Sequence, residues 1–245
     1  MEMIRVFLGY DSREAAAFHV AAHSIHRHSS QPVRIAPLLL SQLQSVFQPP
    51  RDPKQSTDFS FSRFLVPHLC DYQGWAIFAD CDILARDDIA KLWELRDDRY
   101  AVMRVKHDYV PAESTKFLGH EQTKYAKKNW SSVILFNNAR CQALTLDYVD
   151  QASGLALHRF EWLGNDELIG ELPAGWNHLV DYNSSAAGRA AENLHYTSGG
   201  PWFENCRQCG FAAEWWGELH RALHPVSGQG CLQVPSTGVL QLKAA

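Results

Sequence analysis

Residues 75–95 read WAIFADCDILARDDIAKLWEL, and the reading of this stretch decides the fold. The run Trp75-Ala76-Ile77-Phe78-Ala79 is apolar without alternation, as expected of a strand buried on both faces. In open α/β sheets such strands end where ligands gather. This one ends in two carboxylates, Asp80 and Asp82, on either side of Cys81. In an extended chain side chains at i and i+2 point the same way, so the spacing sets Asp80 beside Asp82 and turns Cys81 away. Two like charges so close repel. A divalent cation resolves the conflict, because carboxylate oxygens are the hard ligands that Mn²⁺ or Mg²⁺ prefers, and such an ion also holds phosphate oxygens. The next acidic pair, Asp87 and Asp88, reads instead as a turn or cap ahead of a helix that buries Ile89, Leu92 and Trp93.

Strands and helices alternate on both sides of this stretch. IRVFLGY, residues 4–10, is a first buried strand that runs into the polar turn Asp11-Ser12-Arg13-Glu14. Phe18, Ala21, Ala22 and Ile25 follow as one apolar stripe of a helix, and a short strand lies around Val33 to Ile35. Phe61, Phe64, Leu65 and Leu69 recur at helical spacing before the opening strand. Beyond it come a strand from Tyr100 to Val105, a long loop from Lys106 to Lys128, and an apolar run from Ser132 to Phe136. Thr145 caps a helix that stops at Gly154, a further segment spans Asp166 to Leu172, and Leu194-His195-Tyr196 enters the glycine turn TSGGPW. This order predicts an α/β fold, with a mixed, mainly parallel sheet flanked by helices. A single domain over residues 1–224 and a loose, Gly/Ser/Gln-rich tail over 225–245 are expected.

The composition removes several classes of function. With 245 residues, 46% hydrophobic and 20% charged, the chain buries a large core, and its net charge of −4 gives no field for nucleic acid or an anionic membrane. No signal peptide and no membrane span is visible, so a cytoplasmic protein is expected. Cys206 and Cys209 form a CxxC without a second pair at zinc-ribbon spacing, although His220, His224 and Cys231 lie nearby; they read as thiols. His19, His23 and His26 share a helix face, with no acidic residue at a metalloprotease position, and read as a solvent face. The loop lysines Lys106, Lys116, Lys124, Lys127 and Lys128 form a local basic excess.

Taken together, GYDSRE after the first strand, FSRF ahead of the Asp-x-Asp strand, the Asp-x-Asp itself and HYTSGGPW near the end make the chain resemble GT-A fold (Rossmann-like) glycosyltransferases, in particular glycosyltransferase family 8. The resemblance implies a metal-dependent transferase using Mn²⁺ or Mg²⁺ and a nucleotide-diphosphate sugar, a UDP-sugar above all, with retention of configuration at the anomeric carbon. It implies a metal site of Asp80, Asp82 and His195. It places Tyr10 and Asp11 at the nucleotide, Arg63 at the donor and in catalysis, and Cys81 and Gly199 among the donor-binding positions. GNDELIGELPAGWN, residues 164–177, resembles the family's acceptor-side helix, and Asp166 then falls near the anomeric carbon, to stabilise the sugar cation or to act as nucleophile.

The chain also departs from the family pattern. Gly200 stands where the family has a lysine in its late His-Gly-Lys-Pro-Trp segment, so the diphosphate needs another cation, Arg63 or a loop lysine such as Lys116. The family's Asn-Ser-Gly-Val strand entry reads Trp130-Ser131-Ser132-Val133, with Asn129 adjacent. Two rival readings stand beside the transferase. A haloacid-dehalogenase-type phosphatase also uses Asp-x-Asp after a buried strand, but Leu84 replaces its usual Thr or Val and no later Gly-Asp-x-x-x-Asp follows. A nucleotide-sugar binding protein without transfer activity is the other. The acceptor, whether glycan, protein or small molecule, is not encoded in any motif.

Overall fold

The computed structural model describes residues 2–44, 46–47, 57–107, 127 and 129–224; Lys116, Lys124, Lys128, Cys231 and the tail from Pro225 lie outside them. The chain opens with β1 (Ile4–Tyr10), α1 (Ala15–His28) and β2 (Val33–Leu39). The second strand is longer than its apolar signal because it lies at the sheet edge, where Pro37 costs no ladder bond and Arg34 and Pro37 face solvent. A short α2 (Leu40–Leu43) follows. The predicted helix over Phe61–Leu69 is a 3-10 turn, Ser62–Leu65, continued by the single turn α3 (Val66–Leu69), and Leu69 is exposed rather than part of the stripe.

Next come β3 (Trp75–Ala79), β4 (Ile83–Ala85), α4 (Ile89–Glu94), β5 (Val102–Arg104) and β6 (Val133–Asn137). Asp88 caps α4 by accepting a hydrogen bond from Ala90 N, as its position predicts. Thr145 likewise caps α5 (Leu146–Gln151). Gly154 is not the stop of that helix but the first residue of α6 (Gly154–His158). The chain turns extended at Ala152, and the Ser153 hydroxyl caps the new helix by accepting from Ala156 N. The remainder comprises β7 (Ile169–Glu171), β8 (His178–Leu179), α7 (Ser185–Ala190), β9 (Asn193–His195) and α8 (Ala212–Leu223). No described helix is long and apolar enough to cross a membrane.

The main sheet has the order β2-β1-β3-β6-β5-β7. Pairings are parallel for β1 with β2 and β3 and for β5 with β7, whereas β6 is antiparallel to both neighbours. All its strands except β6 therefore run the same way. The fully buried patterns of β3 and β6 at its centre come from helices and turns packed on both faces. A second, three-stranded sheet of order β4-β9-β8 grows from the end of β3. Its core is separate: Val20 of α1, Leu84, Val180, Leu194, Tyr196 and Trp215 of α8 form one buried cluster, with Trp202 packed against it.

Helix α8 is fastened to α1 by charge as well as by apolar contact. Glu218 is 2% exposed, accepts a 2.9 Å hydrogen bond from Arg27 Nε, meets His23 Nδ1 at 2.8 Å and pairs with Arg221 at 3.1 Å. Burial alone would raise its pKa, but the hydrogen bonds from Arg27 and His23 outweigh it and hold the carboxyl below its ordinary value. The sign follows. The contribution is complete above the ordinary glutamate range and is lost as pH falls through the depressed value. Glu218→Gln should cost about 1–3 kcal/mol in urea unfolding at neutral pH. The difference from the parent should shrink below about pH 4.

Candidate active site

The register of β1 against β3 sets Leu8 beside Ala79, so the two strands end together and deliver Tyr10-Asp11 and Asp80-Cys81-Asp82 to one edge. The acidic pair is not in extended chain. Cys81 and Asp82 form the turn from β3 into β4, with Asp80 just before it, and this turn rather than strand alternation brings the carboxylates together. Asp80 N donates to Ser132 O at 2.8 Å, which ties the turn to the start of β6. On the other side Ile83 pairs with His195 in the β4–β9 ladder, and Tyr196 N donates to Asp82 O at 2.9 Å. The ladder carries His195 to the turn. Donor atoms of Asp80, Asp82 and His195 lie within 4.8 Å of one another.

Charge in this cluster is balanced locally. Arg63 Nη1 lies 2.7 Å from Asp80 Oδ1, and His195 Nε2 lies 3.3 Å from Asp82 Oδ1; both oxygens are buried and neither accepts an aligned hydrogen bond. Burial pushes Asp80 up to about 6 in spite of Arg63. Burial also acts to raise Asp82, but the adjoining His195 outweighs it and holds this carboxyl low. His195 is raised in turn: burial opposes its charge, and Asp82 and Asp80 overcome that. A divalent ion offers the same positive charge at the same place. Two carboxylates and one imidazole are a donor set suited to Mn²⁺ or Mg²⁺, and their buried, unsatisfied oxygens fit that use.

The ring orientation of His195 is set by Asn177, a residue the sequence reading left unassigned. Asn177 Nδ2 donates to Asn129 O at 3.2 Å, which fixes the amide so that its Oδ1, 2.8 Å from His195 Nδ1, accepts. The proton of the neutral ring is therefore on Nδ1. Nε2, facing Asp82, keeps its lone pair for a cation.

Arg63 donates to Ser60 O and Ser131 O, and its guanidinium lies over the rings of Phe78 and Phe59, at 4.9 and 5.3 Å. It is a clamp on Asp80. Tyr10 is half-buried against Phe18 at the end of β1. Asp11 is fully buried and accepts hydrogen bonds from Arg13 and from Asp58 N, which closes the turn after β1. Cys81 is a core residue, its thiol pushed up by burial. Gly199 has φ 105°, a left-handed conformation in which a side chain strains, and its N–H donates to Tyr196 O. Gly200 has a physical reason to differ from the family's lysine: a Cβ there would strike the Trp202 indole, which is wedged between Tyr196 and Trp215.

Asp166 is exposed, on a turn that Asn165 caps, and pairs with Lys127 beside a cleft of about 550 Å³ lined also by Arg159, Phe160 and Glu161. It stands apart from the Asp80-Asp82-His195 group. Two further titratable residues have strongly shifted pKa values, the buried Arg104 and the partly buried His107. Arg104, at the end of β5, is stacked 3.1 Å from the Trp130 ring centroid, and burial lowers it to about 8 against the pull of Asp166 and Glu171. His107 is held down to about 4 by burial and then by the charges of His195 and Arg104. Both fall in segments read only as strand or loop. Cys206 and Cys209 are free thiols raised by burial.

A mixed sheet with an acidic turn at its strand ends, joined by a short ladder to a late histidine, defines a GT-A glycosyltransferase. The family profile described as glycosyl transferase family 8 matches residues 18–143, which include Arg63, Asp80 and Asp82. The chain belongs to that family and is a glycosyltransferase, which sets aside the phosphatase reading. It is 46% identical over 222 residues to Protein CDI of Arabidopsis thaliana, covering 88% of this chain and 85% of that protein. Among solved structures it is similar to the galactosyltransferase LgtC, crystallised with donor and acceptor sugar analogues, with TM-score 0.59 and 14% identity over 92% of this chain and 98% of that one. It is also similar to the apo bifunctional glycosyltransferase WbbM, with TM-score 0.62 and 15% identity, and here it spans 89% of its own length but only 49% of the larger chain. The glycosyltransferase GlyE of Streptococcus pneumoniae gives TM-score 0.60 at 15% identity, with 89% of this chain and 60% of that one covered.

Asn177→Ala should leave the buried His195 Nδ1–H without an acceptor, at a cost of about 1–3 kcal/mol. For a chain of this size that is a melting temperature lower by roughly 2–12 °C. Imidazole ¹⁵N NMR at about pH 9, where a histidine ring is neutral, should show the His195 proton on Nδ1 in the parent and a tautomer mixture in the variant.

Proposed function

We propose that the chain transfers a sugar from a UDP-sugar to an acceptor hydroxyl, with Mn²⁺ or Mg²⁺ held by Asp80, Asp82 and His195. The observation that carries this reading is the convergence of those three side chains within 4.8 Å at the strand ends. When bound, the ion neutralises the charge that grows on the departing diphosphate. Arg63 keeps Asp80 oriented, and Asn177 presents the His195 lone pair. Tyr10, at the edge of the nucleotide side, offers a ring face to the base, and the turn closed by Asp11 shapes the ribose side. Cys81 and Gly199 act through their backbone, since one side chain is in the core and the other residue has none. With Gly200 in the lysine's place, Arg63 is the fixed cation on the donor side.

Asp166 is assigned to the acceptor side, near the sugar rather than the phosphates. Its exposure and its Lys127 partner suit a group that meets a substrate entering from solvent. Transfer with retention is the reading that goes with this family. Inversion would instead need a general base to deprotonate the incoming hydroxyl.

Calorimetry tests the donor and metal together. UDP affinity should be high with Mn²⁺, fall steeply with EDTA, and fall again in Asp82→Ala; equal affinity in all three overturns the reading. Asp166→Asn should depress turnover and leave UDP binding nearly unchanged. Proton NMR of the first-formed product from an α-linked donor should show an α linkage, and a β linkage would sink retention.

A further inference from the structure

One of the two carbonyls that hold Arg63 is itself held by a histidine that no sequence motif marks. Ser131 lies at the entry of β6, two residues before the ladder with β3 begins at Val133, so the ladder itself does not fix the Ser131 peptide. A side-chain contact does. Ser131 is 5% exposed, and its Oγ meets His158 Nδ1 at 2.7 Å. The Ser131 carbonyl accepts from Arg63 Nη1 at 2.8 Å, and the same nitrogen lies 2.7 Å from Asp80 Oδ1.

His158 is the last residue of α6, and that helix packs along the turn that carries Arg63. At the start of α6, Gly154 lies so close to Phe61 that a Cβ would come within 2.8 Å of its ring. At the end of α6 the His158 ring stands edge-to-face on the fully buried Phe64, with centroids 5.3 Å apart. His158 thus touches both halves of the clamp on Asp80: the turn Ser62–Leu65 through Phe64, and the entry of β6 through Ser131. Packing against Phe64 needs a ring of this size but neither of its nitrogens. The nitrogen that faces Ser131 is what the hydrogen bond requires.

We propose that His158 is a positioning residue for the donor side of the site: its hydrogen bond to Ser131 Oγ fixes the Ser131 carbonyl, that carbonyl fixes the Arg63 guanidinium, and Arg63 aims Asp80. The consequence for the cation rests on the metal-dependent reading above; the hold on Arg63 does not. A buried guanidinium keeps one orientation while both of its carbonyl acceptors, Ser60 O and Ser131 O, stay in place. With one of them loosened it turns over the Phe59 and Phe78 rings, and Asp80 loses its aim.

The test is proton–nitrogen NMR of the arginine side chains in the metal-free full chain, with the Arg63 signals identified by their absence in Arg63→Lys. His158→Phe keeps a ring against Phe64 and removes the hydrogen bond. The Arg63 Nη1 hydrogens should then exchange with water about tenfold faster, the weight of one net hydrogen bond in a local opening. His158→Asn sets an amide near the place of Nδ1, able to donate or to accept, and should return the rate to within about twofold of the parent. Ser131→Ala should speed exchange as much as His158→Phe, and the double variant should be no faster than either, because both break one contact. The serine variant also decides the matter if the phenylalanine variant does not fold. Rates within about twofold of the parent in both His158→Phe and Ser131→Ala, equal acceleration in His158→Phe and His158→Asn, or effects that add in the double variant would each overturn the assignment. With saturating UDP, and free Mn²⁺ followed by electron paramagnetic resonance, His158→Phe should also weaken the metal about tenfold and His158→Asn should restore it. A parent protein that binds no Mn²⁺ overturns the metal site, and the exchange rates still decide His158 by themselves.

Discussion

The β4–β9 ladder is the constraint on which the site depends. It pairs Ile83 with His195 and closes with Tyr196 N on Asp82 O, so residues more than a hundred positions apart are held one peptide from each other. Three-residue strands do not stand alone in water. This pair is supported by the cluster of Val20, Leu84, Leu194, Tyr196 and Trp215, to which α1 and α8 both contribute. The Glu218 contacts with Arg27 and His23, which join those two helices, consequently bear on the placement of Asp82 and His195.

The electrostatics of the centre follow from this placement. Desolvation works against every ionised group there, and each carboxylate is retained by a specific neighbour: Arg63 for Asp80, His195 for Asp82, Arg13 for Asp11. Each neighbour is itself immobilised. Arg63 is held by two backbone carbonyls, and His195 by an amide whose own orientation is fixed at Asn129 O. Such preorganisation is what a transferase requires, since groups already aimed at developing charge need not reorganise during reaction.

Much of this was legible in the sequence, for identifiable reasons. The strand ending at Ala79 shows in its unbroken apolar run, the caps at Asp88 and Thr145 in single side chains placed before helices, and the acidic pair in its spacing. Other features have no local signal. Asn177 is one asparagine among several until the ladder brings His195 beside it. Arg104 lies inside an apolar run and shows its burial only when Trp130, distant in sequence, stacks on it. The reading of Gly154 as a stop failed because Ser153 is a stronger local instruction than the glycine after it. The short helical turn at Ser62–Leu65 is governed by Arg63 reaching for Asp80, a tertiary demand that periodicity cannot express.

Strand β6 alone opposes the direction of the other strands in its sheet. Its beginning, not its end, therefore lies at the site, and the carbonyls of Ser131 and Ser132 that receive Arg63 and Asp80 N belong to the entry of a strand. Chain length added or removed before Asn129 leaves those two carbonyls in place, because β6 is registered independently against β3 from Val133 to Asn137. The Arg63-Asp80 contacts with β6 and the stretch that precedes β6 are thus separable units of change. A lineage can alter the second without disturbing the charge balance that the first depends on.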